Sequence, residues 1–420
     1  MSFYCTDTKT HWTTCVCLTD LMAFFPSCEQ VDFPELRGRP VAVTNGDKGT
    51  TIISSSYEAR EYGIKTGMKM SEALKLCPQL IKRPSRPDRY AEISGNIMRA
   101  LMEITPDISV YSIDECYIDL MPVLKLYGSV KIISEKIRKT VFEASGGIRC
   151  SIGITEGQLT AKYCAKNKGE TTIVTPGQIK SYIGRASIGD ICGIGKNIER
   201  YLNQYGILKC ADIERFPMSI LSNRFGDIGR RLYSVCLGHD PLPVDTTDKD
   251  HKSMGHGKVT AGENDRDVIR GIMRQLVERL TRRMRHHKVV SDLFFIGFKT
   301  AKGWVGHKYK VQPATNSTSV IWSYVQTHFK SWHHEALYQV QVTALSLQSS
   351  EIRQLDLFED LLAPDPKVTK HDKLDDVKDL VNDRFGKHTL RSAAELLADK
   401  ANMVPVIAFN FDATGKKNSL

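Results

Sequence analysis

Apolar and polar positions follow two different periods along the first half of the chain. Short apolar runs predict buried strands at residues 14–21, 110–120 and 148–155. Two further runs between residues 40 and 56 flank the sequence NGDKG, which predicts a hairpin. Apolar residues at helical spacing predict helices at residues 89–104 and 128–146. Strands and helices mixed in this order indicate an α+β layered fold.

The second half of the chain has a different pattern, beginning near residue 183. Short helices without strand signals come first, followed by a polar segment at residues 244–252 that we interpret as a linker. Apolar residues from Val268 to Leu280 share one helical face, with arginines on another, and strand-like runs follow. We expect a second, smaller α+β unit there, and a further helix at residues 373–386.

Length and composition set broad limits. A chain of 420 residues is too long for one typical core, and no apolar run approaches the ~18–20 residues needed to cross a membrane. The amino terminus lacks a basic region followed by an apolar core, so we expect no secretion signal. The eleven cysteines are scattered and include no CxxC pair, which argues against structural zinc and favours a reducing cytosol.

The formal net charge is +10, with an isoelectric point near 8.9. An excess of this size favours nucleic acid or another anionic surface as a partner. A basic enzyme without an anionic partner can have the same composition, so net charge alone does not decide between these two interpretations.

Two adjacent carboxylates interrupt the apolar run VYSIDECYIDL. Burying Asp114 and Glu115 without compensating charge is costly, so they either lie in a turn facing water or bind a cation. Asp20 ends the first predicted strand, and three carboxylates without a His or Cys cluster suit Mg²⁺. Two such ions about 4 Å apart could activate a 3′-hydroxyl and bind a triphosphate together. The alternative is a solvated turn and a helix cap.

Basic residues indicate a phosphate site. Tyr57 and Arg60 lie one helical turn apart, and Arg60 could bind phosphate oxygens in a forked geometry. Lys166 follows a predicted strand and could add positive charge. A surface ion pair is the alternative for each cation. The chain has no GxxxxGK[ST] loop, which argues against a P-loop kinase or helicase.

The sequence resembles the Y-family (translesion) DNA polymerases over nearly all of the chain up to about Leu347. The segments that carry the resemblance are YSIDECYIDL, TDLMAFFPSCEQ and SSSYEAREYGIKTGM. The resemblance implies that catalysis and binding of two Mg²⁺ ions fall to Asp20, Asp114, Glu115 and the Leu21 carbonyl. It implies a set of nucleotide-binding residues: Phe24, Phe25, Ser54, Tyr57, Arg60 and Lys166. Phe25 takes the steric-gate position, where its ring would exclude a 2′-hydroxyl.

Two departures from the family pattern stand out. Met22 occupies a position where the family often has a second acid, although members close to polymerase V lack it too. The segment before Lys166 is shorter than usual, which weakens the assignment of that lysine.

The resemblance also implies the architecture of a right-hand polymerase: a palm of mixed sheet and helices, small fingers, a helical thumb with a helix-hairpin-helix, and an α+β little finger. The expected boundaries are residues 1–31 and 90–178 for the palm, 32–89 for the fingers, 179–243 for the thumb, 244–252 for the linker, 253–347 for the little finger and 348–420 for a tail.

Two segments are candidates for DNA binding. In CGIGKNIERYLNQYGI, glycines allow a tight turn that directs N–H groups at a phosphate, although a close-packed helix corner has the same pattern. The residues concerned are Gly193, Gly195 and Lys196. The basic sequence RLTRRMRHHK fits the duplex-gripping part of a little finger, or a solvated helix face. Its candidate contacts are Arg282, Arg283 and Arg285.

The segment QLDLF resembles the pentamer by which bacterial polymerases bind the sliding clamp. Its members are Gln354, Leu355, Asp356, Leu357 and Phe358. Its apolar side chains could dock in a pocket and tether the enzyme to its template. A turn of amphipathic helix is the alternative.

These features together predict a low-fidelity, template-directed DNA polymerase that extends a primer 3′-hydroxyl with dNTPs during SOS-type damage tolerance and mutagenesis. We expect a cytoplasmic, nucleoid-associated enzyme without membrane contact. Two alternatives are a catalytically inactive, clamp-tethered DNA-binding adaptor and a nucleotidyl cyclase. The sequence does not determine which lesions are bypassed, which base is inserted, whether accessory subunits are required, whether the gene is chromosomal or mobile, or what residues after about 363 do.

Overall fold

The structure, a computed structural model, describes residues 11–46, 50–167, 169–240, 244–246, 252–333, 335–350, 366–386 and 389–396. These residues form two compact units that divide between residues 248 and 249. Across the described ranges, every helix is too short or too polar to span a lipid bilayer.

The strands of unit 1, the unit up to residue 248, are β1 (Val16–Leu21), β2 (Val41–Thr44), β3 (Ile52–Ser55), β4 (Ile81–Pro84), β5 (Ile108–Val110), β6 (Glu115–Asp119), β7 (Cys150–Thr155) and β8 (Thr171–Ile173). Its helices are α1 (Phe24–Asp32), α2 (Tyr57–Glu61), α3 (Met70–Leu76), α4 (Pro87–Met102), α5 (Met121–Tyr127), α6 (Val130–Ser145), α7 (Gln158–Cys164), α8 (Pro176–Gly184), α9 (Lys196–Asn203) and α10 (Met218–Cys236).

Unit 2, which holds the described residues from 252 to 396, contains strands β9 (Ser253–Glu263), β10 (Val289–Thr300), β11 (Gly303–Thr315) and β12 (Leu337–Ser349). Its helices are α11 (Arg266–His286), α12 (Thr318–Lys330), α13 (Pro366–Phe385) and α14 (Ala393–Leu396). Sequence patterns predicted β10, β12, α11 and α13, whereas β9, β11 and α12 had no clear signal.

The principal sheet of unit 1 has five strands in the order β5-β6-β1-β7-β8. Strand β1 pairs antiparallel with both β6 and β7, and its side chains alternate between two buried layers. Helices α4 and α6 cover one face, and α7 packs on the other. Gly153 permits this close packing, because a Cβ there would lie 2.1 Å from the Ala161 carbonyl oxygen in α7.

The two adjacent carboxylates lie at the start of β6 and not inside a continuous strand. Asp114 belongs to the turn that follows β5, and Glu115 is the first residue of β6. The Leu21 N–H donates to the Asp114 carbonyl oxygen at 2.9 Å, which fixes this turn against the end of β1. Asp20 and Glu115 are opposite each other in the β1–β6 register, so their side chains leave the same face.

A smaller sheet, in the order β3-β2-β4, packs against α2 and α3 around its own apolar core. It is tied to α1 by Glu29, whose carboxylate is completely buried. That carboxylate accepts from Arg83 Nε at 3.0 Å and from Arg86 Nε and the Tyr90 hydroxyl at 2.8 Å. Charge and hydrogen bonds therefore compensate the burial of Glu29.

In unit 2 the strands form an antiparallel sheet in the order β11-β10-β12-β9. Helices α11 and α12 cover one face and enclose a single apolar core with it. Helix α13 packs against α12, and α14 packs against α11, so the carboxyl-terminal helices form an additional layer.

Candidate active site

A cavity of about 360 Å³ opens where β1 ends and α1 begins. It brings together residues from four separate parts of the sequence. Those lining residues include Asp20, Leu21, Phe24, Phe25, Ser54, Tyr57, Arg60, Thr66, Asp114, Ser151 and Lys166. Nine of them are residues that the sequence indicated for catalysis, metal binding or nucleotide binding.

The three predicted catalytic acids have different surroundings. Asp20 and Asp114 line the cavity, and the Ser112 hydroxyl donates to Asp114 Oδ1 at 2.6 Å. Glu115 is turned toward α7, where its Oε2 accepts from Lys162 Nζ at 2.8 Å. Both partners of this ion pair are largely buried, so water screens their attraction only partly.

Asp20 has a strongly raised pKa. Burial, followed by the negative charges of Glu115 and Asp114, raises the pKa of Asp20 to about 7. Lys162 and Arg60 oppose this rise but do not cancel it. Burial and the neighbouring acids therefore disfavour the charged form of Asp20, and a bound cation would restore it.

The donor set at the cavity fits Mg²⁺, which prefers carboxylate oxygens. Asp20 and Asp114 offer such oxygens directly, whereas Glu115 is held by Lys162. Among the described residues, no group of three His, Cys, Asp or Glu side chains is already gathered as a metal site.

Helix α1 begins at the edge of the same cavity. Ala23 precedes the helix in the left-handed region, with φ of 42°, which turns the chain sharply from β1 into α1. The first N–H groups of a helix have no intrahelical acceptor and carry partial positive charge. The start of α1, at Phe24, thus adds an anion-attracting element that the sequence motifs alone did not indicate.

Tyr57 and Arg60 meet as their spacing predicted. Ser56 caps α2 by accepting from the Ala59 N–H at 3.3 Å, which places both residues in the first turns of the helix. The Arg60 guanidinium carbon lies 4.8 Å from the centre of the Tyr57 ring, and Arg60 Nε donates to the Ser55 carbonyl at 3.0 Å. The Ser55 carbonyl and the Tyr57 ring thus fix the orientation of the Arg60 guanidinium at the wall of the cavity.

Phe25, the predicted steric gate, is held by an aromatic stack. Its ring lies 4.7 Å from the Tyr90 ring, with an angle of 13° between the two planes. Tyr90 is completely buried and fixed by Glu29, so the position of Phe25 depends on the network beneath it.

The predicted triphosphate lysine, Lys166, lies at the cavity but is engaged elsewhere. Its Nζ contacts Asp190 Oδ1 at 3.0 Å, in an exposed ion pair. Sequence reasoning did not single out Lys162, which contacts an acid of the site directly. The available signal was its position in TAKYCAKNK, one helical turn before Lys166.

The predicted phosphate-binding turn of the helical region is exposed. Gly193 has φ of +96°, which favours glycine, and Gly195 is the amino-terminal cap of α9. Lys196 begins α9, also on the surface. The element before this turn is a single 3₁₀ turn, Ile188–Asp190.

The three predicted DNA-binding arginines of α11 do not reach an open surface. Arg285 Nε donates to Asp379 Oδ2 at 2.7 Å, and its Nη1 lies 3.3 Å from Asp375 Oδ2. Arg282 pairs with Asp383, and Arg283 is buried at 7% exposure. The carboxylates come from α13, about 90 residues later in the sequence. The sequence near α11 therefore could not predict these ion pairs. The clamp-like segment, residues 354–358, lies outside the described residues.

Comparisons with known proteins show the family of the chain. Residues 19–166 match the impB/mucB/samB family, and residues 251–357 match its C-terminal domain. Residues 189–240 match the thumb domain of DNA polymerase iota. A Y-family DNA polymerase chimera has the same fold, with a TM-score of 0.70 and 22% identity, covering 80% of this chain and 99% of its own.

Two curated relatives are named DNA polymerase IV. The protein from Moorella thermoacetica is 30% identical over 394 residues, 91% of this chain and 96% of its own. The protein from Shewanella loihica is 34% identical over 292 residues, 67% of this chain and 80% of its own. The family match and these relatives show that the chain is a DNA-directed DNA polymerase. The chain belongs to the Y family of DNA polymerases, the translesion class also described as the impB/mucB/samB family.

Proposed function

We propose that the chain extends a primer 3′-hydroxyl with dNTPs at low fidelity, using two Mg²⁺ ions held by Asp20, Asp114, Glu115 and the Leu21 carbonyl. The observation that carries this proposal is the single cavity shared by Asp20, Asp114, Tyr57 and Arg60. It joins an acidic end, where a cation is needed, to a basic end suited to phosphate.

When bound, the ions would lower the pKa of the primer hydroxyl and neutralise charge on the triphosphate. The chain's own residues bind and orient the nucleotide. Arg60, held by the Ser55 carbonyl, and the start of α1 offer charge and N–H groups to phosphate oxygens. Tyr57, Phe24 and Ser54 complete the walls, and Lys166 contributes once it leaves Asp190. Fixing the triphosphate in this way aligns its α-phosphorus with the primer.

We assign the five-stranded sheet to the palm, residues 1–31 and 90–178, and the three-stranded sheet to the fingers, residues 32–89. Residues 179–243 are the thumb, 244–252 a linker and 253–347 the little finger. The small size of the three-stranded sheet supports a loose enclosure of the nascent base pair, which accepts damaged bases at the expense of selectivity.

The structure of unit 2 favours a different DNA-contacting face from the one that the sequence suggested. The side of the sheet remote from α11 and α12 exposes three lysines that have no ion-pair partner among the described residues. They are Lys299, Lys308 and Lys310. We therefore propose that this sheet face, together with Gly193, Gly195 and Lys196 of the thumb, contacts the DNA backbone.

Residues 354–358 are proposed to bind the sliding clamp and to hold the enzyme at primer ends. We place its activity in SOS-type damage tolerance on the nucleoid, in the cytoplasm. The net charge of +10 and the affinity for DNA that it favours support this placement.

Primer extension on an undamaged template with Mg²⁺ and all four dNTPs tests the proposal. We expect wild-type extension and its loss in Asp114→Ala, with DNA binding retained. The conservative Ser112→Ala serves as a control, because it keeps the Asp114 carboxylate and removes only the two hydrogen bonds between the Ser112 hydroxyl and Asp114. A wild-type chain that binds DNA without extending it, with clamp and accessory proteins added, would instead support the inactive, clamp-tethered adaptor.

A further inference from the structure

A second cavity, of about 510 Å³, lies beside the catalytic cavity in unit 1. Three residues line both cavities and separate them: Met22, Ala23 and Tyr57. Met22 and Ala23 make the sharp turn from β1 into α1, and Tyr57 begins α2. None of these three wall residues is acidic. An anion that crosses the wall from the catalytic cavity therefore moves away from the carboxylates of Asp20 and Asp114.

Two arginines line the second cavity, and neither lines the catalytic one. Arg37 Nε donates to the Gln30 carbonyl oxygen at 3.0 Å, which orients the guanidinium group of Arg37. Among the described residues, the guanidinium group of Arg149 has no ion-pair or hydrogen-bond partner. The acid of the described lining, Glu58, accepts from Gln30 Nε2 at 3.3 and 3.4 Å. The lining therefore has a net positive charge.

Positive charge lies on both sides of the wall residue Tyr57. Burial raises the pKa of Tyr57, and the charges of Arg60 and Arg149 oppose this rise. Arg60 lines the catalytic cavity, whereas Arg149 lines the second one. The Met22 N–H donates to the Arg149 carbonyl oxygen at 2.9 Å, so the backbone of Arg149 flanks the turn in the wall. Arg60, Tyr57 and Arg149 thus follow one another from the catalytic cavity to the second.

This lining suits a small, highly charged anion, since the forked guanidinium group of arginine matches the geometry of phosphate oxygens. The reaction proposed for the catalytic cavity produces such an anion at every insertion. The primer 3′-oxygen forms a bond to the α-phosphorus and its proton passes to solvent. The bond from the α-phosphorus to the bridging oxygen breaks, and its electron pair leaves with pyrophosphate.

We propose that the cavity lined by Arg37 and Arg149 is an exit site for pyrophosphate, which crosses the wall formed by Met22, Ala23 and Tyr57. Pyrophosphate is the product of the proposed function, so this site rests on that function. Positive charge beyond the wall stabilises the anion as it leaves the acidic centre. Pyrophosphate held in the second cavity cannot attack the newly formed bond, and the reverse reaction is delayed.

Binding of ³²P-pyrophosphate to the full chain tests this proposal. The chain is assembled with a dideoxy-terminated primer–template, Ca²⁺ and an α,β-imido dNTP, which fills the catalytic cavity without reacting. Equilibrium dialysis should then show one equivalent of pyrophosphate bound to the wild type. The double variant Arg37→Ala, Arg149→Ala should weaken this binding by about tenfold or more, because it removes two charge-assisted contacts. The double variant Arg37→Lys, Arg149→Lys keeps the charge and should bind pyrophosphate more tightly than the alanine pair.

The matched control is Arg99→Ala, Arg185→Ala, which removes two exposed arginines of unit 1 that line neither cavity. It should bind pyrophosphate like the wild type. Equal binding by the wild type and Arg37→Ala, Arg149→Ala, or equal losses in both alanine pairs, would overturn the proposal. Complete displacement of pyrophosphate by the imido dNTP would overturn it too, because the anion would then bind only in the catalytic cavity.

Pyrophosphorolysis gives a second readout, because pyrophosphate enters by the path along which it leaves. The pyrophosphate concentration for half-maximal primer shortening should rise by about tenfold in Arg37→Ala, Arg149→Ala, and an unchanged value would count against the exit site. Primer extension by the wild type in the same preparation reports on the proposed function separately. Extension without arginine-dependent pyrophosphate binding overturns the exit site alone, whereas a wild type that does not extend a primer overturns both.

Discussion

Lys162 and Glu115 form an ion pair of 2.8 Å at the edge of the acidic cavity. Lys162 Nζ also lies 4.6 Å from the centre of the Tyr111 ring, a cation–π contact that fixes the ammonium group further. The positive charge of Lys162 thereby offsets part of the repulsion among Asp20, Asp114 and Glu115. The lysine pairs with one of the three predicted metal-binding carboxylates, which also lies opposite Asp20 in the β1–β6 register.

Removing this charge should make the fold depend more on Mg²⁺. In Lys162→Ala, Glu115 loses its partner and adds to the repulsion on Asp20, so we expect a loss of about 1–3 kcal/mol in the free energy of unfolding without metal. Added Mg²⁺ should then raise the Tm of Lys162→Ala more than that of wild type. Lys162→Arg keeps the charge and should behave like wild type. Equal Mg²⁺-induced shifts in Lys162→Ala and wild type would show that Lys162 and the metal do not compete.

Asp20 should make stability fall with rising pH when metal is absent. The pKa of Asp20 is raised to about 7 in the folded chain, whereas the unfolded chain ionises near 3.8. The folded state therefore binds more protons between these values, and the free energy of unfolding declines as pH rises from about 4 through 7. Asp20→Asn should stabilise the protein at pH 8 in EDTA, on the order of 2 kcal/mol, and have little effect near pH 4. Thermal unfolding at both pH values measures this, and a pH-independent difference would contradict it.

Tyr90 should control sugar selectivity through Phe25. Aromatic pairs contribute about 0.5–1.5 kcal/mol, so loosening the Phe25 ring should raise ribonucleotide incorporation by up to about tenfold. Tyr90→Leu removes the stack, whereas Tyr90→Phe keeps it and loses only the hydrogen bond to Glu29. We expect higher incorporation in Tyr90→Leu and in Phe25→Ala, and near wild-type selectivity in Tyr90→Phe. Single-nucleotide insertion with rCTP and dCTP measures the ratio of ribonucleotide to deoxyribonucleotide incorporation. Unchanged selectivity in Phe25→Ala would show that Phe25 is not the steric gate.

The lysines of the little-finger sheet should determine the salt dependence of DNA binding. Each phosphate contact contributes about 0.9 to the slope of log K against log salt, so changing Lys299, Lys308 and Lys310 together to alanine should lower that slope by about 2–3. Arg285→Gln, whose guanidinium is occupied by α13, should leave the slope unchanged while lowering the stability of unit 2. A slope that falls in Arg285→Gln but not in the triple lysine variant would instead support DNA contact through α11.

Phe358 should matter only when the clamp is present. We expect Phe358→Ala to retain basal primer extension and to lose stimulation by the sliding clamp, because an apolar side chain of a short motif supplies much of its binding energy. Leu362→Ala, an apolar truncation beyond the motif, is the control. Equal loss of synthesis with and without clamp would contradict the assignment.

The sequence by itself determined the elements whose pattern is local. Helix α6 ends at Gly146 as predicted, and α11 buries the predicted face from Val268 to Leu280, because helical spacing alone sorts those residues between core and solvent. The spacing of Tyr57 and Arg60 likewise brought them together. Strand β11 gave little signal because most of its side chains are exposed, and α12 is rich in β-branched and aromatic residues that favour strands.

Only the tertiary structure decided which charges meet. Glu115 turns to Lys162, 47 residues away, and Arg285 turns to Asp379, 94 residues away. No local period encodes such pairs, since they depend on how helices pack once the chain has folded. The same packing withdrew Arg282, Arg283 and Arg285 from solvent, exposed the lysines of the sheet and placed the apolar side of α13 outward. Periodicity fixes which side of an element is apolar, whereas the partner of a charged group is fixed by the three-dimensional arrangement of elements distant in sequence.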